Sequence, residues 1–177
     1  MEDNKITHVI NASADLCPNH FPEDLTYLTY FLKDSKKENI ECIFYESIEF
    51  IKTAKMAGGR VLVHCQQGVS RSVSICIAYM IFTQKLSYQE AEELLKKKRG
   101  VANPNPGFSV QLIFFYKRLY LPFDEFPYNP RIFVIGSHEL EDPGKIVCRM
   151  MFEPFYQEGM QGLALDPRGV FLIQREN

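Results

Sequence analysis

The chain has 177 residues, 20 basic against 22 acidic side chains for a net charge of −2, and 46% hydrophobic residues. That is room for one domain with its own core and part of another, and the near-neutral balance lacks the basic footprint of a nucleic-acid partner. No apolar run is long enough to cross a bilayer, and residues 1–20, with Glu2, Asp3 and Asp15, do not read as a secretory leader.

Residues 6–12, ITHVINA, predict a core strand. Pro18 and Pro22 mark a loop, and Thr26 to Leu32, rich in β-branched and aromatic residues, predicts the next strand. Lys33, Asp34 and Ser35 form its polar exit. Ile40, Ile43, Phe44, Ile48 and Ile51 recur at helical spacing and predict an amphipathic helix that ends before Gly58-Gly59. Val61 to Val63 predicts a short buried strand, and Ser74 to Met80, apolar on nearly every side, a buried helix. Ser87-Tyr88-Gln89-Glu90 has the form of a capping box. The helix it starts carries Ala91, Leu94 and Leu95 on its apolar side. Lys96, Lys97, Lys98 and Arg99 suit its negative end, and Gly100 suits the position after the cap. This basic turn reads as a solvated helix terminus or as a docking patch for an acidic segment. Asn103 to Phe108 is turn chemistry, and Phe108, Leu112, Ile113, Phe115 and Leu119 predict a last core helix. Residues 122–130 hold Pro122, Pro127 and Pro130 and read as a linker. Beyond them Ile132 to Ile135, Ile146 to Phe152 and residues 169–173 are strand-like, with a type I turn predicted over Asp166 to Gly169. The predicted organisation is an α/β domain over 1–121 and a β-rich extension over 131–177.

The chemistry concentrates between Val61 and Met80. A strand feeding a loop that feeds a helix aims backbone N–H groups into one concavity, at the positive end of the helix, which suits an anion such as phosphate. Cys65 lies at the floor of that loop, and the Arg71 cation and the helix-end amides favour its thiolate. Such surroundings bring a thiol from about 8.5 to roughly 3.5–7.5. Arg71 has the planar fork that holds two phosphate oxygens. Gly68 allows close backbone approach, Ser72 sets a hydroxyl beside the sulfur, and His64 is placed to orient the loop through hydrogen bonds. Gln66, Gln67, Val69 and Ser70 complete the loop and are all uncharged. A phosphoester cleavage also needs a general acid on a loop beside the pocket; Asp34 is the candidate, with Asp24 its competitor and Glu23 and Glu38 more distant ones. The five cysteines are scattered, odd in number and without metal-ligand spacing, which suits a reducing compartment, cytosolic or nuclear. Cys17 either traps an oxidised Cys65 as a disulfide or packs as a small hydrophobe.

The stretch HCQQGVSRS resembles the H-C-x5-R-S signature of the cysteine-dependent protein phosphatases. Its surroundings resemble the dual-specificity branch, and within it the MAP-kinase phosphatases. The resemblance implies a mostly parallel, mixed central sheet flanked by helices, a phosphocysteine intermediate, and no metal or cofactor. It implies that Asp34, in LKDS, lies on the general-acid loop and that Asn105, in the P-N-x-G-F element followed by Gln111-Leu112, braces the phosphate loop. It also implies a strand and helix ahead of residue 6. Their absence from this chain leaves a sheet edge bare for self-association. The uncharged loop favours protein phosphates over inositol lipids, so the implied substrate is phosphotyrosine, phosphoserine or phosphothreonine on a MAP-kinase-type protein. Residues 164–173, ALDPRGVFLI, are similar to the start of the gelsolin-like region that follows one subgroup of MAP-kinase phosphatases. Three rivals stand beside this reading: a phosphate-binding module without turnover, the same chemistry on phospholipid or RNA 5′ phosphate, and a scaffold whose role lies in the tail.

Overall fold

The computed structural model describes residues 4–121 with their side chains, and 131–138, 142–150 and 170–174 as backbone strands. The chain divides into two compact units, residues 1–121 and 122–177.

The first unit is built on three strands, β1 (His8–Asn11), β2 (Thr26–Thr29) and β3 (Val61–His64), in the order β2-β1-β3. Both pairings are parallel, with His8 opposite Thr26 and Val61, and Asn11 opposite Thr29 and His64. β1 is the middle strand, and Val9, Ile10 and Asn11 are fully or almost fully buried. β3 is a sheet edge among the described residues, and its four side chains are only half-buried. Parallel strands need crossovers, and α1 (Phe44–Met56), entered through a 3-10 turn at Glu41–Ile43, provides the one from β2 to β3. The predicted second strand stops three residues early. Tyr30 still donates its N–H to Asn11, but Leu32 turns away and gives its carbonyl to Arg71.

α2 (Arg71–Gln84) extends the predicted buried helix to begin at the loop itself, and its apolar residues Val73, Ile75, Ile77, Ala78 and Ile81 are in the core. α3 (Tyr88–Lys98) starts at the expected capping box: Glu90 N–H donates to Ser87 Oγ at 3.3 Å, and Ser87 N–H to Glu90 Oε2 at 2.8 Å. Its end falls where expected, with Arg99 as C-cap and Gly100 after it, but in another conformation. Gly100 does not take the left-handed conformation of a helix cap; Arg99 leaves the helix in extended form (φ −140°, ψ 92°), because its side chain is anchored elsewhere. α4 (Pro106–Tyr120) has Asn105 as N-cap and buries Phe108, Leu112 and Phe115. Phe44 and Phe115 meet edge to face at 5.1 Å, locking α1 to α4.

In the second unit β4 (Arg131–His138) lies between β5 (Asp142–Met150) and β6 (Val170–Gln174), both pairings antiparallel. The predicted linker over 122–130 and turn over 166–169 lie outside the described residues, as does most of the segment likened to a gelsolin-like region.

Candidate active site

Because β1, β2 and β3 run parallel, the loops that follow them leave from one edge of the sheet, where open α/β sheets hold their ligands. The loop after β3, residues 65–70, carries the predicted anion cradle, and the loop after β2 carries Asp34.

Cys65 is 7% exposed and Arg71 4%. Burial alone pushes the Cys65 thiol up. The Ser72 side chain and N–H, the Gly68 N–H and the Arg71 guanidinium outweigh it, and the thiol is held below its ordinary value. Ser72 Oγ is 3.2 Å from the sulfur. Arg71 Nη1 donates to the Leu32 carbonyl at 2.9 Å, which fixes the fork across the floor of the site. Its Nε is buried without a hydrogen-bond partner and lies 4.0 Å from Asp34 Oδ2. An unpaired buried donor of this kind costs about 1–3 kcal/mol, and an anion above the loop would satisfy it.

Asp34 is partly exposed, its side chain at 38%. One carboxylate oxygen, Oδ1, accepts from Asn105 Nδ2 at 2.7 Å and from Ser70 Oγ at 2.8 Å. Ser70 is the N-cap of α2 but makes no side-chain cap bond; its hydroxyl donates to Asp34 and accepts from Asn105 N–H instead. Asn105 meets the phosphate loop at Ser70 through its backbone, and its side chain has other partners. The side-chain amide holds Asp34 and caps α4, accepting from Phe108 N–H at 3.0 Å, while the backbone N–H reaches Ser70 Oγ at 3.0 Å. His64 departs from expectation. Its ring makes no hydrogen bond among the described residues, and its carbonyl instead accepts from Ala12 N–H at 2.8 Å. Gln66 and Gln67 are exposed, while Gly68 and Val69 are half-buried.

The other candidates stay apart from this cluster. Asp24 belongs to the turn before β2, where its N–H donates to Phe21. Glu38 accepts from Lys33 N–H at 3.0 Å and closes the Asp34 loop from behind. Cys17 is a free, half-buried thiol whose carbonyl accepts from Asn11 Nδ2. Burial, and then the nearness of Cys65, push the Cys76 thiol up to about 11, so it stays neutral.

Three contributors were not legible as such in the sequence. Gln111 ties the Asp34 loop to α4, accepting from Glu41 N–H at 3.0 Å and donating to the Glu38 carbonyl at 2.8 Å; the buried ion pair of Glu41 with Arg118 reinforces that joint. Gly107 lets α4 approach so closely that a Cβ there would lie 2.3 Å from the Lys36 carbonyl oxygen. Arg99 places its guanidinium on the carbonyls of Gln67 and Gly68. The only available signal for Arg99 was that it is the one arginine in a run of lysines.

Residues 1–118 match the family model described as dual specificity phosphatase, catalytic domain. The chain belongs to this family. It is 35% identical over 178 residues to the protein-tyrosine-phosphatase MKP1 of Arabidopsis thaliana, a match covering 98% of this chain and 21% of that protein. It is 44% identical over 117 residues to dual specificity protein phosphatase 1 of Homo sapiens, covering 66% of this chain and 32% of that one. The crystal structure of DUSP15 superposes with a TM-score of 0.62 at 38% identity, covering 65% of this chain and 72% of that chain. The chain thus spans between about a fifth and a third of the length of these two curated relatives. The match to MKP1 continues beyond residue 121 into the β-rich unit. The dual-specificity phosphatase fold accounts for the three parallel strands and for the cradle at their carboxyl ends.

Proposed function

We propose that this chain is the catalytic part of a protein phosphatase that hydrolyses phosphotyrosine and phosphoserine or phosphothreonine on MAP-kinase-type substrates, in the cytoplasm or nucleus. The observation that carries the reading is a thiol held below its ordinary value beside a buried guanidinium whose Nε has no partner, with a carboxylate at the rim. The Cys65 thiolate attacks phosphorus, forming the S–P bond as the P–O bond to the substrate breaks. Loop amides and Arg71 balance charge on the three equatorial oxygens. Asp34 gives its proton to the leaving oxygen. Its Oδ1 is occupied by Ser70 and Asn105, so Oδ2 is the atom that carries that proton. In the second step ionised Asp34 takes a proton from water, the new O–P bond forms, and the P–S bond breaks with Ser72 Oγ–H donating to the departing sulfur. The likeness to MKP1 and to dual specificity protein phosphatase 1, with the uncharged Gln66, Gln67, Val69 and Ser70, supports a phosphoprotein over a polyphosphorylated lipid. The antiparallel β4–β6 sheet and the length of the MKP1 match support reading the extension as part of a gelsolin-like region.

The test is phosphate release from a doubly phosphorylated MAP-kinase activation-loop peptide, wild type beside Cys65→Ser. The wild type is expected to release phosphate, and the variant to lose at least about four orders of magnitude while still binding phosphate. Equal turnover in the variant removes the covalent step. Binding without turnover in the wild type makes the chain a phosphoprotein-binding module, and release only from inositol lipid or RNA 5′ phosphate reassigns the substrate.

A further inference from the structure

The basic turn that ends α3 does not simply face solvent. The extended exit at Arg99 brings its guanidinium onto the outer side of the phosphate loop, where Nε donates to the Gly68 carbonyl at 2.9 Å and Nη2 to the Gln67 carbonyl at 3.4 Å. Asn103 N–H donates to the Val69 carbonyl at 2.9 Å, so carbonyls 67, 68 and 69 are all drawn outward by the segment 99–103. Every peptide bond here is trans. In a planar trans peptide the C=O and the following N–H point in opposite directions. A carbonyl pulled outward therefore sends the next amide inward. The Gly68 amide does so, since it is among the groups hydrogen-bonded to the Cys65 sulfur. Gly68 itself has φ +67°, and a Cβ at this position would lie 2.7 Å from Arg99 Nη2. The residue without a side chain suits both the backbone turn and the approach of the guanidinium.

We infer that Arg99 is a positioning residue of the phosphate site, which turns the Gly68 and Val69 amides toward the sulfur and the phosphoryl oxygens by holding the carbonyls of Gln67 and Gly68 from outside. The groups that act on the Cys65 thiol are Ser72, the Gly68 amide and Arg71. Arg99 is not one of them, so it acts through the loop backbone. Lys98 is the control for charge: it is exposed, carries the same charge one residue earlier, and its side chain makes no hydrogen bond or ion pair among the described residues. A guanidinium fork serves two carbonyls together, whereas an ammonium is a single compact charge.

The activity readout of this inference rests on the phosphatase reading; its thiol readout does not. In the full chain, alkylation of Cys65 by iodoacetamide is followed against pH, with inorganic phosphate as the protecting anion, for wild type, Arg99→Ala, Arg99→Lys and Lys98→Ala. Arg99→Ala is expected to move the alkylation midpoint to higher pH, to weaken phosphate protection about tenfold, and to lower kcat/KM on p-nitrophenyl phosphate by a similar factor. Arg99→Lys falls between, and Lys98→Ala matches wild type. A wild-type midpoint and wild-type protection in Arg99→Ala overturns the inference, as does an equal shift in Lys98→Ala. If Arg99→Ala gives no cooperative thermal transition, Arg99→Lys decides, and a wild-type midpoint there overturns it. Should the midpoint shift in Arg99→Ala while no chain, wild type included, releases phosphate, the positioning role stands and the phosphatase reading falls.

Discussion

Two loops leave the same edge of the parallel sheet and are held in different ways. The loop after β3 is short, sits between a strand and a helix, and buries its working groups, with Cys65 and Arg71 both under a tenth exposed. The sulfur's partners, Gly68, Arg71 and Ser72, lie within seven residues of it. The loop after β2 is open, its Asp34 side chain at 38% exposure. It is held by distant residues: Ser70 and Asn105 on the carboxylate, Gln111 on the backbone behind it, and the close pass of Gly107 at Lys36. On the proposed mechanism the difference has a use: a nucleophile needs a constant electrostatic setting, which a strand-loop-helix unit makes locally, and a proton donor must stand at the rim beside the leaving group, where the chain has no local scaffold to fix it.

That contrast can be broken by mutation. Asp34→Ala is expected to lower kcat on a phosphotyrosine peptide by about 10²–10³ and to leave alkylation of Cys65 unchanged; Asp24→Ala leaves kcat near wild type. The effect is smaller on an aryl phosphate whose phenolate leaves without protonation. A comparable loss in Asp24→Ala would move the acid to the other loop. Gly107→Ala is expected to push the acid loop off α4 and reduce kcat about tenfold, with Cys65 alkylation again unchanged, since the conflict is with Lys36; the two readouts are steady-state kinetics and the alkylation profile. Ser72→Ala works on the other loop. Ser72 lowers the Cys65 thiol value, so its removal raises the alkylation midpoint, and at a fixed neutral pH the thiolate fraction and the alkylation rate both fall. Phosphoenzyme breakdown in a rapid-quench experiment is expected to slow about tenfold as the departing sulfur loses its donor. Asn105→Ala is expected to show the smallest effect on the cradle and a modest one on the fold: loss of the α4 cap lowers stability by about 0.5–2 kcal/mol in a denaturant titration, with kcat reduced and alkylation little altered.

The same division runs through what could be read in advance. The cradle was legible because its parts are contiguous: an apolar run, a loop with Cys65, Gly68 and Arg71, and an apolar helix. The capping box at Ser87 was legible because it is a local hydrogen-bond pattern written in four residues, whereas 103–108 read only as turn chemistry and the cap at Asn105 was not foreseen. Helix cores followed from periodicity, with Phe44, Ile48, Phe108, Leu112 and Phe115 all buried. The misreadings came from long-range partners. Gly100 follows the cap as expected, but it does not take the left-handed conformation, and Arg99, whose side chain is on the phosphate loop, leaves the helix extended. Asn105 does reach that loop, through its backbone N–H on Ser70, but Asp34, seventy-one positions away, takes its side-chain amide.

From the sequence by itself came the strand-loop-helix unit, the identity of the thiol and the guanidinium, and the succession of strands and helices along the chain, because each depends on side-chain patterns within one or two turns or one strand. Only the tertiary structure decided which oxygen of Asp34 stays free, which backbone Gln111 stitches, and that Arg99 grips the loop carbonyls. Those outcomes depend on where separately folded segments meet, and hydrogen bonds across 31 to 73 positions leave no periodic trace in the chain.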